Sequence, residues 1–95
     1  MMKTIWKFPI PTTDIQEISI PQGAEILTVQ MQGDMPCLWA IIDTDASLEP
    51  RTILTLGTGH KGLELSNGGQ PRYIGTYQIF GGSLIFHVFD GGVAA

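Results

Sequence analysis

Residues 52–62, TILTLGTGHKG, decide between two folds. Gly57, Gly59 and Gly62 stand at the spacing G-x-G-x-x-G, directly after the apolar run Ile53, Leu54, Leu56. In a dinucleotide-binding unit that spacing opens a helix whose N-terminal amides and dipole face a pyrophosphate, inside a parallel strand-helix-strand unit. Here Leu63-Glu64-Leu65-Ser66 leads into Asn67-Gly68-Gly69-Gln70-Pro71, which leaves room for one helical turn at most before the chain breaks. A Walker loop is excluded too: Lys61 has no glycine before it and neither Ser nor Thr after it. The stretch reads as a strand running into a glycine-rich loop of a β-protein.

The flanking sequence repeats with a period of two. Trp6, Phe8 and Ile10 share a face in KTIWKFPI, Ile18 and Ile20 do in DIQEISI, and Leu27, Val29 and Met31 do in EILTVQMQ, the pattern of half-buried strands. CLWAIID is apolar on both faces, Cys37, Trp39 and Ile41 opposite Leu38, Ala40 and Ile42, and predicts a central strand covered on both sides. RTILTL, YIGTYQIF and SLIFHVFD complete the set, rich in the β-branched and aromatic residues that suit a pleated surface. Turn signals separate the runs: Pro21-Gln22-Gly23, Gly33-Asp34 before Pro36, and Gly81-Gly82, which predicts a two-residue hairpin. Pro9 and Pro11 place the end of the first strand at an edge or a terminus. The expectation is one all-β domain over residues 1–95, a compact sandwich or small barrel of about seven mostly antiparallel strands. Residues 43–50 and 57–72 read as its longer loops, and 91–95 as a frayed tail.

Ninety-five residues hold one core, and a 15% share of charged residues is low, which predicts surface buried by self-association. The single cysteine, Cys37, forms no internal disulfide and sits in an apolar run, so it reads as a small buried hydrophobe of a cytoplasmic protein. No run approaches the eighteen apolar residues of a membrane span. The net charge of −4 excludes a sequence-independent grip on extended nucleic acid. Residues 51–72 nonetheless carry +2 against −6 for the rest, because Arg51, Lys61 and Arg72 face only Glu64 there. A local cationic stretch in an acidic chain suits a small anion better than a polyanion.

The candidate ligand-binding set is therefore Arg51, Lys61 and Arg72 for phosphate, Thr58, Gly59 and His60 as loop donors, and Tyr73 as a stacking ring. Trp39 and Tyr77 read as core. His87 alternates with Ile85 and Phe89 and reads as hydrogen-bonded structure. Two histidines and one cysteine without paired spacing make no metal site, no cofactor is indicated, and no G-x-S-x-G nucleophile motif occurs. A nucleotide hydrolase using His60 stays open as a rival to simple binding.

KTIWKFPI, DIQEISIPQGAEILTVQ, PCLWAIID, the GTGH turn and YIGTYQIFGGSLIFHVFD together resemble a family of small bacteriophage and prophage proteins of unassigned function, over nearly the whole chain except residues 61–71. The resemblance brings no catalytic or binding residue with it. It implies an accessory role in the host cytoplasm, such as countering host immunity by sequestering a cyclic nucleotide or ADP-ribose-type signal. The alternative is a protein-protein inhibitor or virion module acting through sheet edges or the acidic loop DTDASLEP.

Overall fold

The computed structural model describes residues 2–62 and 70–94. Among the described residues seven strands follow one another: β1 (Lys3–Pro9), β2 (Ile15–Pro21), β3 (Glu25–Gln32), β4 (Met35–Asp43), β5 (Leu48–Gly57), β6 (Arg72–Ile79) and β7 (Leu84–Val93). They form two antiparallel sheets, one in the order β1-β4-β3 and the other in the order β2-β5-β7-β6. Among the described residues the only helical piece is a single 3-10 turn, Phe80–Gly82. The glycines of the GTGHKG stretch thus follow a strand whose two neighbours both run antiparallel to it, which is not the parallel setting a dinucleotide fingerprint needs. The limit of one helical turn after Gly62 falls on residues 63–69, outside the described residues.

The alternation seen in the sequence builds the interior. Ile20 of β2, Ile53 of β5, Tyr77 of β6 and Val88 of β7 meet Ile26 and Val29 of β3 and Leu38, Ala40 and Ile42 of β4, with Ile10 joining from the link after β1. Each fully buried aliphatic side chain contributes about 1.5–3 kcal/mol over an exposed one, so this layer between the sheets carries the stability. The sheets approach most closely where β3 faces β6: a Cβ placed on Gly75 would lie 2.8 Å from Val29 Cγ1. At the other side β2 lies across from β4, while β1 has only β4 beside it.

Several local expectations are corrected. Leu27 does not share a face with Val29: the β3-β4 register shifts between Ile26 and Thr28, so Ile26 and Val29 both turn inward and Leu27 is exposed. The first strand is not half-buried, since only Phe8 packs at the core margin while Trp6 is 42% exposed. The connection between β6 and β7 has four residues, Phe80–Ser83, because Ile79 pairs with Leu84. Phe80, Gly81 and Gly82 all adopt positive φ there, and a two-residue turn has no place for three such residues. The acidic loop is shorter than 43–50, as Leu48–Pro50 belongs to β5. The tail is paired as far as residue 94: Arg51 faces Val93, and the Ala94 amide donates to the Pro50 carbonyl at 2.9 Å, while residue 95 lies outside the described residues. Cys37 is buried, as expected. Trp39 and Ile41, on the other face of β4 from Leu38, are only partly covered.

Candidate functional site

The seven sequence-derived candidates divide between two faces of the four-stranded sheet. β5 places Arg51, Ile53 and Thr55 on its inner side, and β7 places Phe86, Val88 and Asp90 there. Arg51 is 7% exposed, and its guanidinium donates from Nη1 to Asp90 Oδ2 at 2.8 Å and from Nη2 to the Ala24 carbonyl at 3.0 Å. Its Nε is buried with no hydrogen-bond partner among the described residues. Arg72 reaches across to the Ile26 carbonyl at 3.3 Å and lies 3.9 Å from the same Asp90 carboxylate, with its side chain 61% exposed. Asp90 completes the cluster by accepting from the Gly92 amide at 2.8 Å. Two arginines of one sheet thus hold two carbonyls of the other sheet and its approach, with Asp90 as the shared counter-charge. The Arg51 guanidinium, taken out of water and already paired in this way, fastens the sheets together and does not face a dissolved phosphate.

The remaining candidates lie at the loop and on the outer face. Thr58, Gly59, His60 and Lys61 are exposed at the end of β5, where the Thr58 amide donates to the Ile85 carbonyl and the His60 amide to the Gly57 carbonyl. The His60 ring rests on Gly57: a Cβ there would come within 2.8 Å of Nδ1, so glycine is what admits the imidazole at this spot. Two clefts flank the loop. One of about 430 Å³ is bordered by Asp14, Ile15, Leu54, His60 and Lys61, and one of about 190 Å³ by Thr58, His60, Ser83 and Leu84. A larger cleft of about 750 Å³ lies elsewhere, between Met31, Asp34 and the Phe80 turn, and contains none of the candidates.

A hydrogen-bonded row joins the loop to the stacking ring. Thr58 Oγ1 lies 2.7 Å from His87 Nε2, His87 Nδ1 lies 2.9 Å from Thr76 Oγ1, and Thr76 Oγ1 lies 2.5 Å from Tyr73 Oη. A neutral imidazole has one donor and one acceptor nitrogen, so the hydroxyls must run in one direction along the row. The hydroxyl at one end, Thr58 or Tyr73, then keeps its proton for a further acceptor. Strand register explains the meeting. Thr76 stands opposite His87, and a shift between Tyr73 and Gly75 puts Tyr73 and Thr76 on one face although they are three residues apart. Tyr73 is 55% exposed and packs edge-on to Phe89 at 5.6 Å between ring centroids.

Sequence reasoning missed Thr76, Asp90 and the joining role of His87. The alternation of SLIFHVFD already set His87 and Asp90 on opposite faces; their partners come from β5 and β6 and depend on pairing register. Among the described residues no group of three or more His, Cys, Asp or Glu side chains could hold a metal ion, and no helix is long and apolar enough to cross a membrane.

Comparison with known proteins adds a family and no activity. No curated protein and no solved structure matches the chain. One family matches from residue 1 to residue 94, which is almost the entire sequence, and the chain belongs to it: Domain of unknown function (DUF7352).

Proposed function

We propose that the protein is a non-enzymatic binding protein for a small anionic ligand with a flat ring, a nucleotide in chemical class, held on the outer face of the β2-β5-β7-β6 sheet. The observation that carries this reading is the exposed row Thr58-His87-Thr76-Tyr73, which ties a glycine-rich loop bearing His60 and Lys61 to a half-exposed aromatic ring. Phosphate oxygens meet Lys61, His60, the Thr58 hydroxyl and the amides around Gly59, while a base stacks on Tyr73. Arg51 takes no part, because its charge is spent on Asp90 inside the molecule. Arg72, bonded to the Ile26 carbonyl, stands beside Tyr73 in β6 and points to the other face. The resemblance to bacteriophage and prophage proteins supports a biological setting in the host cytoplasm, with a cyclic or ADP-ribose-type immune signal as the sequestered nucleotide.

The test is titration calorimetry with cyclic dinucleotides, cyclic trinucleotides and ADP-ribose derivatives. Saturating heat with one of them is expected, with intact ligand recovered after the protein is heat-denatured. Tyr73→Ala should weaken that binding about tenfold or more, the size of one lost base-ring stack. Flat titrations across all three classes remove the proposal, and altered ligand after denaturation replaces binding with hydrolysis at His60. Capture of a host protein that survives both Tyr73→Ala and Lys61→Ala would favour the inhibitor reading. Arg51→Ala cannot serve here, because it strands Asp90 in the interior.

A further inference from the structure

The open side of the sandwich carries two strand edges whose chemistry is complementary. In the β1-β4 ladder the Ile10 amide donates to the Pro36 carbonyl and the Thr44 amide to the Met2 carbonyl. Antiparallel hydrogen-bonded pairs alternate, so even-numbered residues of β1 bond to β4, and Lys3, Ile5, Lys7 and Pro9 present their free backbone groups outward. In the β2-β5 ladder the Thr55 amide donates to the Asp14 carbonyl and the Gln22 amide to the Ser47 carbonyl. The same parity leaves Ile15, Glu17, Ser19 and Pro21 facing outward from β2. One edge thus bears two lysines, and the other bears Glu17 with Asp14 just before it.

Exposed apolar surface gathers on this side. Ile5 is 56% exposed, Trp6 42%, Met2 69%, Ile15 62%, and Leu48, beside the end of β2, 61%. β1 packs mainly beside β4, and β2 approaches β4 from the other sheet. Trp6 and Phe8, whose ring centroids are 6.3 Å apart, share the inner side of β1, Phe8 at the core margin and Trp6 open to solvent.

We propose that this side is the interface of a two-fold dimer in which β1 of each copy pairs antiparallel with β2 of the other. The axis runs along the strands, so the β1 and β2 edges of both copies are paired and no edge on this side is left for a third copy. The turn between β4 and β5 fixes the register: Thr44 bonds Met2 and Ser47 bonds Gln22, which sets residues 2 and 22 at one level. At that level Lys7 stands opposite Glu17 of the second copy and Ile5 opposite Ser19 of the second copy, while the prolines fall at the two ends of the ladder, Pro9 opposite Ile15 and Lys3 opposite Pro21 of the second copy, and each gives up one bond. The two β1 strands then lie over one another, and their exposed Trp6 rings are covered between them. Lys7 exchanges its bond to Gln32 for the Glu17 carboxylate. The other two-fold arrangement, β1 on β1 and β2 on β2, sets lysines beside lysines and Glu17 beside Glu17, which like-charge repulsion disfavours. Two seven-stranded sheets result, each built from three strands of one copy and four of the other.

The experiment is sedimentation equilibrium of the full chain with charge reversal. The wild type should be a dimer at micromolar concentration. Lys7→Glu alone and Glu17→Lys alone should each weaken the dimer by about tenfold or more, since every dimer contains the pair twice. Lys7→Glu combined with Glu17→Lys should restore it. Circular dichroism checks that each variant keeps its strands, and these exposed positions leave the monomer core untouched. A monomeric wild type, an assembly larger than a dimer, or a double variant no tighter than the single ones overturns the interface.

Discussion

On the inner face of the four-stranded sheet Arg51 and Asp90 meet at 2.8 Å with both side chains 9% exposed. On the outer face of the same strands Thr58, His87, Thr76 and Tyr73 are linked by bonds of similar length, yet water reaches them. Both clusters are polar and hydrogen-bonded, and they differ in surroundings. A buried charge left without its partner keeps the full cost of desolvation, whereas an exposed hydroxyl that loses its partner bonds water instead. The inner cluster should therefore govern folding, and the outer one should be free to serve a ligand.

Asp90→Ala is the strongest way to break this contrast. It leaves the Arg51 guanidinium buried with only the Ala24 carbonyl, and removes the acceptor of the Gly92 amide. The expected loss is about 3–5 kcal/mol in denaturant unfolding, as for other broken buried pairs. Arg72→Ala, by contrast, removes a side chain 61% exposed and 3.9 Å from the carboxylate, and should cost less than about 1 kcal/mol. Equal losses for the two would show that Asp90 is not the hub of the clasp.

Gly75→Ala probes the same side of the sandwich by packing alone. The new methyl would stand 2.8 Å from Val29 Cγ1, and Val29 is only 4% exposed, so the valine cannot swing into solvent. β3 and β6 must move apart, at about 1–3 kcal/mol, the usual cost of overpacking. A thermal unfolding temperature equal to that of the wild type would mean that the sheets yield at no cost at this crossing.

How much of this could be read from the sequence depends on how local each feature is. The strands were legible because alternation is a property of each run by itself, as in KTIWKFPI and SLIFHVFD. The bulges were not: nothing in EILTVQMQ announces that Leu27 will be skipped, or in YIGTYQIF that Ile74 will be, and each skip reverses the faces of the residues beyond it. Arg51 entered the anion set through its charge, although its alternation with Ile53 and Thr55 already put it on the buried side. What alternation does not give is the partner that lets a guanidinium stay there, because Asp90 lies thirty-nine residues away in the chain. The GTGHKG loop was legible as a loop on chemistry alone, and its tie to Tyr73 only once β6 and β7 were paired.

Tyr77 lies between the two extremes and gives the contrast a pH axis. Its ring is 3% exposed and its hydroxyl lies 2.6 Å from Thr12 Oγ1. Burial pushes its pKa above the ordinary value of about 10, and the Thr12 hydrogen bond offsets part of the rise. Because the folded protein holds this proton more tightly than the unfolded chain does, its contribution is complete below about pH 10 and is lost as pH rises further. Unfolding followed from about pH 8 to about pH 11 should show stability falling at the alkaline end. Tyr77→Phe should flatten that fall while costing about 1 kcal/mol at neutral pH for the lost hydrogen bond.

The smallest effect is expected on the outer face, and it is the most informative. His87→Ala deletes the middle of the row, yet the row is open to solvent, so water can take the place of each ring nitrogen. No buried polar atom is orphaned, and the change in unfolding free energy should stay within about 0.5 kcal/mol. Binding of the nucleotide should suffer more than stability, because without the imidazole the Thr58 hydroxyl and the Tyr73 ring are no longer held in a fixed relation, and that ordering must then be supplied on binding. If His87→Ala instead destabilises the protein as much as Asp90→Ala does, the outer row is a second clasp, and the division of labour between the two faces of the sheet fails.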